Sequence, residues 1–483
     1  MTSSGNFLLD LLENRLRAAA SCPGLPEQVR SLPVFEQLIP ECLEIKSNLT
    51  PASDSQIFLH IPRSTTSYSA SKMKLDIRII QLLLLTFTVT QTKQASEQTP
   101  KMRNVCFYTD WSVYRVGKWS FTPQNIDPNL CSHLIYSMAD INEDEADIIS
   151  ADPYQDIEKH GFKDVVDIRN NRNKDLKCML AVGGYRAGST KFSAVAVSEE
   201  KRDKFARNAL KFLKTYDFDG LFIDWAYPND LARNGLPEDI TNFPKLLHGV
   251  DKVFKTEAAA SGKPKKLLAI SIPGDTLIVE RGYDLKNLEK YVDFLAVLGY
   301  DYHFAYDPEV GHHSALYPLP EEMAGSQHEN EGLNADSSIN FVLSKGVDPK
   351  KVVLGVPLYG RTFTLQNPNK NKLGAQATGQ GVAGKATRED GYVAYFEICS
   401  NINDGWKVEH PNKTAMGPYA FKRNQWVGYE DADSVRMKGA YAKKRGLGGL
   451  SFWSMDQDDF LGSCGSTAFP LIKAGKEGYL NGK

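Results

Sequence analysis

Short apolar runs rich in Val, Ile and Leu recur from residue 104 to the C-terminus, and amphipathic stretches such as 201–216 separate them. Continuous apolar runs are typical of parallel strands that are buried on both faces. Strands that alternate with helices in this way predict an α/β fold. Eight such units, in roughly the 250 to 400 residues of a barrel with insertions, predict a closed (β/α)8 TIM barrel.

The connection after the seventh unit is too long for an ordinary loop. About 60 residues separate it from the segment 424–429, whereas connections in α/β units usually have about 2 to 6 residues. We therefore expect a small additional domain at about 362–423, inserted after the seventh strand.

Composition and charge exclude several classes of site. The chain is 42% hydrophobic and 24% charged, with a net charge of −2, and its charges are mixed along the sequence, so we expect no nucleic-acid partner. Gly183 and Gly184 are too short a match to a phosphate-binding loop to indicate more than a tight turn. His312 and His313 are expected to be a pair in a surface loop, and His and Cys do not cluster at metal-ligand spacings. We expect no cofactor and no metal.

The segment 73–95 has the pattern of a secretory signal peptide, a basic start followed by a short apolar stretch. The apolar stretch is shorter than the roughly 20 residues that a membrane-spanning helix needs, so we expect no membrane span. A buried helix is the alternative interpretation. Residues 1–72 would be an extension of unknown role: either the start is wrongly assigned and Met73 is the initiator, or a longer isoform is not secreted. The secreted protein would consist of residues 96–483.

The segment 218–228 reads FDGLFIDWAYP. It resembles the fourth barrel strand of glycoside hydrolase family 18, the chitinases and chitinase-like lectins, which reads Asp-Gly-x-Asp-x-Asp-x-Glu. The matching residues are Asp219, Gly220, Asp224, Trp225, Tyr227 and Pro228. Phe222 stands where the family has its middle Asp, and Ala226 stands where it has the Glu.

The resemblance extends over most of the chain. Seven further segments match the barrel strands of the family in order: 104–112, 131–137, 180–185, 267–273, 293–301, 355–361 and 448–456. Tyr185 departs from the usual Trp after the third strand. The resemblance implies a (β/α)8 barrel with a small α+β insertion domain after the seventh strand, and this domain would form one wall of a groove.

The resemblance also implies that hydrolysis by the family's route is almost lost. In the family, the N-acetyl oxygen of the substrate attacks the anomeric carbon while the Glu acts as a general acid, a role that contributes roughly 100- to 10,000-fold in rate. The methyl group of Ala226 cannot donate a proton, so we expect no catalytic residue in this chain.

Side chains two residues apart in a strand project to the same face, so residues 222, 224 and 226 are expected to point together into the barrel mouth. Without carboxylates at positions 222 and 226, like-charge repulsion is relieved, and this favours the ionised form of Asp224. Phe222 either fills the barrel core or crowds the bottom of the groove and shifts Asp224.

The residues that would bind sugar are largely retained. Sugars present flat apolar faces ringed by hydroxyl groups, so aromatic side chains and a few placed polar groups bind them. By resemblance, Trp453 would lie beneath the central sugar, and Asp301 would contact its acetamido and hydroxyl groups. The implied substrate-binding residues are Tyr108, Trp111, Gly183, Gly184, Tyr185, Asp224, Tyr227, Tyr300, Asp301, Tyr306, Tyr359, Arg361 and Trp453.

Cysteine usage is consistent with export. The resemblance implies disulfides between Cys106 and Cys131 and between Cys399 and Cys464, with Cys178 as a buried free thiol. Asn412 begins an Asn-Lys-Thr glycosylation sequon, which is usable only in a secreted chain.

Three functions therefore compete. The first is a secreted, monomeric protein that binds chitin or N-acetylglucosamine oligosaccharides without efficient hydrolysis. The second is an extracellular growth-factor-like signalling protein that acts through a protein partner. The third is a residually active chitinase, which would need another acid, such as Glu280, Glu389 or Glu430, to reach the glycosidic bond.

Overall fold

The computed structural model describes residues 102–319, 332–465 and 467–482. The proposed extension 1–72 and the proposed signal peptide 73–95 lie outside the described residues.

The strands follow the apolar runs of the sequence. In chain order they are β1 (Arg103–Thr109), β2 (His133–Asn142), β3 (Asp147–Ser150), β4 (Lys177–Gly183), β5 (Gly220–Asp224), β6 (Leu267–Ile272), β7 (Phe294–Val297), β8 (Val352–Pro357), β9 (Tyr359–Leu365), β10 (Ala377–Gln380), β11 (Tyr392–Ala394), β12 (Lys407–Glu409), β13 (Tyr419–Lys422), β14 (Gln425–Gly428) and β15 (Gly449–Trp453).

Eight parallel strands form a closed barrel. Their order around the barrel is β1, β2, β4, β5, β6, β7, β8 and β15, and β1 pairs with both β2 and β15. Strand β3 pairs antiparallel with β2 and extends it as a hairpin. The predicted (β/α)8 barrel is confirmed.

The helices lie between the strands in sequence. They are α1 (Gly161–Asn171), α2 (Thr190–Ala196), α3 (Glu199–Thr215), α4 (Asp239–Ser261), α5 (Thr276–Gly282), α6 (Leu285–Leu288), α7 (Ala335–Ser344), α8 (Tyr395–Asn403), α9 (Ala432–Lys444) and α10 (Pro470–Asn481). Helix α3 shows how the sequence sets their bounds. Ser198 caps it by accepting a hydrogen bond from Lys201 N at 3.2 Å, and Phe205, Ala209 and Leu213, spaced four residues apart, form its buried face.

Strand alternation divides the core into two parts. Side chains that point inward form the barrel interior cluster: Val105, Phe107, Ile135, Met179, Ala181, Phe222, Ala269, Phe294, Ala296 and Val353. Side chains that point outward, such as Cys106 and Tyr108 on β1, pack in the cluster that also contains the buried faces of the helices.

The insertion after the seventh barrel strand is an antiparallel sheet with one helix, α8. Its strand order is β10, β9, β14, β13 and β12, and β11 pairs with β9. The sheet begins at Tyr359 and ends at Gly428, so strands β9 and β14 extend it on both sides of the range 362–423.

Both implied disulfides are present. Cys106 on β1 is bonded to Cys131, just before β2, and Cys399 on α8 is bonded to Cys464 in the loop before α10. The second bond ties the insertion to the C-terminal part of the barrel. Cys178 on β4 is a buried free thiol, as expected.

Candidate functional site

Phe222, Asp224 and Ala226, here called the centre, occupy the part of the barrel mouth where the sequence departs from the catalytic pattern. Phe222 is 1% exposed and belongs to the barrel interior cluster. Its ring packs edge-on against Phe107, with 5.1 Å between centroids. Phe222 therefore fills the barrel core, the first of the two alternatives for this residue.

Asp224 is the last residue of β5 and is only partly exposed. Its Oδ1 accepts a hydrogen bond from Ser271 on β6, and its carbonyl oxygen accepts one from Gly184 N at 2.8 Å. Gly183 has a φ of 101°, and a Cβ at this position would lie 2.5 Å from the Asp224 carbonyl oxygen. The two glycines thus permit the close approach that positions Asp224.

Desolvation raises the pKa of the Asp224 carboxyl above its ordinary value, and the hydrogen bond from Ser271 only partly opposes this shift. The expectation that missing carboxylate neighbours would favour the ionised form is therefore wrong. Relief of like-charge repulsion does not outweigh the cost of removing the charged carboxylate from water.

Ala226 lies beyond the end of β5, in the segment that follows the strand. Strand alternation therefore applies to Phe222 and Asp224, and the shared direction of residue 226 stays a prediction. Ala226 is buried, and its carbonyl oxygen accepts a hydrogen bond from Arg233 Nε at 2.9 Å. Its side chain offers no group that can hold or transfer a proton.

Arg233 is a residue of this site that the sequence analysis missed. Besides Ala226, it donates through Nη2 to the carbonyl oxygen of Tyr185. Its guanidinium lies over the Tyr185 ring, 3.9 Å from the centroid. Arg233 thus joins the segment after β5 to the loop after β4. Arg233 lies 14 residues after Asp219, and no motif in the sequence around it indicates these contacts.

A second polar cluster, here called the wall, consists of Asp301, His313, Tyr359 and Arg361. Oδ1 of Asp301 accepts hydrogen bonds from Tyr359 OH at 2.7 Å and from Arg361 Nε at 2.8 Å. His313 Nδ1 lies 3.6 Å from the same oxygen. Burial alone would raise the pKa of Asp301, but the Arg361 guanidinium and His313 outweigh it and lower this pKa below its ordinary range. Asp301 is a fixed carboxylate acceptor.

Tyr392 of the insertion and Gln457 of the loop after the last barrel strand support the wall. Tyr392 on β11 stacks on Tyr359 with 4.4 Å between centroids, and its hydroxyl donates to Gln457 Oε1 at 2.6 Å. Neither residue was singled out from the sequence, because their contacts join segments that lie far apart along the chain.

Aromatic side chains surround the mouth at the ends of several barrel strands. Trp453 ends β15, and its ring centroid lies 5.3 Å from that of Phe107 and 6.5 Å from that of Trp111. Trp111, Tyr185 and Tyr306 follow β1, β4 and β7 and are 46%, 64% and 81% exposed. Stacking of these exposed rings on a ligand stays a prediction.

Tyr227 and Tyr300 lie deeper. The Tyr227 ring lies 6.4 Å from that of Tyr185, so it belongs to the side of the mouth that Arg233 organises. Tyr300 is buried, and its ring packs edge-on against Tyr359 at 6.0 Å. Tyr300 therefore supports the wall from behind.

Two expectations are wrong, the one for Tyr108 and the one for the pair His312 and His313. Tyr108 is wrong as a ligand contact: it is 0% exposed and packs against Tyr136 and Phe121 on the outer side of β1, because its neighbour Phe107 takes the inward position. His312 and His313 are both buried rather than in a surface loop. Asp219 serves the structure, since it accepts a hydrogen bond from Cys178 N at 2.8 Å and pairs with Arg169.

The alternative acids are engaged elsewhere. Glu430 is buried in an ion pair with Lys438 at 2.7 Å, whereas Glu280 and Glu389 are exposed and lie near Lys345 and Arg186. Within the described ranges, no hydrogen bond or ion pair links any of the three to the centre.

Asn412 is partly exposed, and its side-chain oxygen accepts a hydrogen bond from Thr414 Oγ1 at 2.9 Å; its glycosylation stays a prediction. In the part of the chain that the structure describes, no group of three His, Cys, Asp or Glu side chains is placed to hold a metal ion. No helix of that part is long and apolar enough to cross a membrane.

The arrangement combines a centre without a proton donor at position 226 with a polar wall and exposed aromatic rings. The profile of Glycosyl hydrolases family 18 matches residues 103–458. The chain belongs to this family.

Several proteins resemble the chain over most of its length. Chitotriosidase-1 of Mus musculus is 36% identical over 373 residues, which are 76% of either chain. A group IV chitinase of Ostrinia furnacalis in complex with allosamidin is 34% identical, with a TM-score of 0.74, and the match covers 79% of this chain and 100% of the chitinase chain.

Human YKL-39, described as a pseudo-chitinase with retained chitooligosaccharide binding properties, is 34% identical, with a TM-score of 0.72; the match covers 78% of this chain and 99% of the YKL-39 chain. The family thus includes proteins described as chitinases and one described as a pseudo-chitinase. The chain matches two other curated relatives over a smaller part of their own length, 16% of one and 65% of the other.

Proposed function

We propose that this family 18 protein is secreted and binds chitin or N-acetylglucosamine oligosaccharides in the barrel mouth without efficient hydrolysis. The observation that carries the proposal is the contrast at the mouth. Ala226 stands at the position of the general acid, whereas the hydrogen bonds of Asp301 to Tyr359 and Arg361 are in place.

The geometry supports binding for two reasons. The wall presents a carboxylate whose position is fixed by two hydrogen bonds, and fixed polar groups orient a sugar. Trp453, with Trp111 beside it, provides the aromatic surface on which the apolar face of a sugar stacks. The description of YKL-39 supports the same separation of binding from hydrolysis in a relative.

The proposal includes the path of the protein out of the cell. The apolar stretch in 73–95 supports cleavage of a signal peptide, the two disulfides are typical of extracellular proteins, and Asn412 would carry a glycan. We propose that the secreted protein is a monomer.

Calorimetric titration of the full chain with a hexamer of N-acetylglucosamine tests the proposal. We expect saturating heats that return to baseline after each injection. Sustained heat flow would indicate turnover and contradict the role assigned to Ala226. Absence of heat would contradict sugar binding and favour a signalling protein that acts through a protein partner.

Replacement Trp453→Ala should weaken binding of the hexamer by about 30-fold or more, the loss typical of a central aromatic contact. Trp406→Ala provides a control, because Trp406 is partly buried in the insertion, against the cluster of Val393, Ile398, Ala420, Val427 and Tyr429. Equal affinities of the Trp453 variant and the wild type would show that the ligand does not use the mouth.

A further inference from the structure

We propose that the mouth prefers an N-acetylglucosamine oligosaccharide in which a neighbouring sugar carries a carboxylate, and that Arg233 binds this carboxylate. The inference rests on the proposed sugar-binding function and specifies its ligand class. Alternating glycans of two sources share this chemistry: hyaluronan, and the glycan strand of bacterial peptidoglycan where the lactyl carboxyl of its N-acetylmuramic acid is free of the stem peptide.

The contacts of Arg233 leave its charge unmatched. One edge of the guanidinium, formed by Nε and Nη2, donates to the carbonyl oxygens of Ala226 and Tyr185. Carbonyl oxygens are neutral acceptors, so these bonds fix the orientation of the guanidinium without neutralising it. Within residues 102–319, 332–465 and 467–482, no carboxylate lies at ion-pair distance from Arg233.

The other edge of the guanidinium is free to bind an anion. Its Nη1 makes no hydrogen bond within the described parts of the chain, and Nη1 and Nη2 together form the planar fork that binds a carboxylate through two parallel hydrogen bonds. Because the first edge is held by two backbone carbonyls, the second edge is already oriented before a ligand arrives. Arg233 is partly exposed, and Tyr185 beneath it is mostly exposed.

The carboxyl groups near Arg233 are held by other partners or disfavoured as anions. Asp230, three residues before it in the same turn, accepts a hydrogen bond from Ala232 N at 3.1 Å. Positions 222 and 226 carry no charge, and the negative charge of Asp301 is matched by Arg361 in the wall. Asp224 is the remaining carboxyl of the centre, and desolvation disfavours its charged form. An acidic sugar would thus meet an unpaired cation where a catalytic mouth has carboxylates.

The position of Arg233 places the carboxylate beside the central sugar rather than on it. Arg233 lies over Tyr185, which directly follows Gly184, and a Cβ on Gly184 would lie 3.8 Å from Asp224 Oδ2. Arg233 Nε also donates to the carbonyl oxygen of Ala226, two residues after Asp224. An acetamido group at Asp224 and a carboxylate at Arg233 would therefore be bound at adjacent places in the mouth, and the inference assigns them to neighbouring sugars. This is the order of groups in a glycan that alternates N-acetylglucosamine with an acidic sugar.

Calorimetric titration of the full chain with three hexasaccharides tests the inference. The first is the neutral hexamer of N-acetylglucosamine, the second is from hyaluronan, and the third alternates N-acetylglucosamine with N-acetylmuramic acid. We expect at least one acidic hexasaccharide to bind more tightly than the neutral hexamer, and its affinity to fall as salt is raised, because the contact is between partly exposed charges.

Arg233→Gln should weaken binding of the acidic hexasaccharide by about 10-fold or more, since a charge-assisted pair is lost, and by clearly more than it weakens binding of the neutral hexamer, whose loss reports only the support that Arg233 gives to Tyr185. Arg233→Lys, which keeps the charge but not the planar fork, should fall between Gln and the wild type. Arg207→Gln removes an exposed cation from α3 outside the mouth and should leave all affinities unchanged. Thermal unfolding of each variant shows that it is folded.

The outcomes separate this inference from the proposed function. If the neutral hexamer binds but both acidic hexasaccharides fail to bind more tightly, or bind independently of Arg233, the inference is overturned while sugar binding stands. If an acidic hexasaccharide binds through Arg233 and the neutral hexamer does not bind, the inference stands and the proposed chitin ligand is wrong. If none of the three binds, both are overturned.

Discussion

The centre of the barrel mouth departs from the catalytic pattern of the family, whereas the hydrogen bonds of the wall are in place. At the centre, Phe222 joins the barrel interior cluster and Ala226 offers no proton. In the wall, Asp301 retains hydrogen bonds from Tyr359 and Arg361. A hydrolase needs both regions, whereas a binding protein needs only fixed polar groups and stacking surfaces. The comparison teaches that replacement of the acid at position 226 need not disturb the hydrogen bonds of the wall.

The largest effect that we expect is a loss of stability when a residue of the centre is replaced. We expect Phe222→Asp to lower the free energy of unfolding by about 4 kcal/mol or more, because it removes a ring that contacts Phe107 and places a polar group in an apolar cluster. Urea unfolding measures the change. Phe304→Ala is the control, since Phe304 is 43% exposed. A Phe222 variant as stable as this control would show that the centre is still a polar site.

The next effect is on binding, at the wall. Asp301→Asn should weaken binding of the N-acetylglucosamine hexamer by about 10-fold, because Asn replaces charge-assisted hydrogen bonds with weaker neutral ones and leaves Arg361 without its carboxylate partner. Calorimetric titration measures the loss.

Asp336→Asn is the matched control for Asp301→Asn. Asp336 on α7 likewise accepts from a tyrosine and an arginine, Tyr441 and Arg445. This variant should bind the hexamer like the wild type. If the Asp301 variant did so too, the wall would not be part of the binding site.

The barrel could be predicted from the sequence because its strands are short apolar runs, and such runs are what a barrel buried on both faces requires. The sequence indicated candidate site residues most directly where they end a barrel strand, as Asp224 and Trp453 do. Tyr108 shows the limit: its place beside the strand end is right, but alternation directs it outward while Phe107 points inward.

The remaining features depend on contacts between segments that are distant in sequence. Arg233 reaches Tyr185 across 48 residues, and Tyr392 reaches Gln457 across 65. The buried position of His313 and the raised pKa of Asp224 likewise follow from the packing of surrounding elements, which no local pattern records.

The smallest expected effect is a difference in pH dependence between the two regions. The pKa of Asp224 is raised in the folded protein, so the folded state binds its proton more tightly than the unfolded state. Its contribution to stability is therefore fully present below the unfolded pKa of about 3.9 and is lost as pH rises through the raised folded pKa. The pKa of Asp301 is lowered, so its contribution is present above the unfolded pKa and is lost as pH falls through the folded pKa.

Comparison of each Asn variant with the wild type isolates these contributions from those of other titrating groups. The stability of the wild type relative to Asp224→Asn should decrease as pH rises from the unfolded pKa of about 3.9 to the raised folded pKa of Asp224. Above about pH 5, its stability relative to Asp301→Asn should stay constant, because Asp301 is then ionised in both states. Urea unfolding at several pH values measures both differences. A constant difference for Asp224→Asn would mean that water reaches this carboxyl freely, and the centre would then be as polar as the wall.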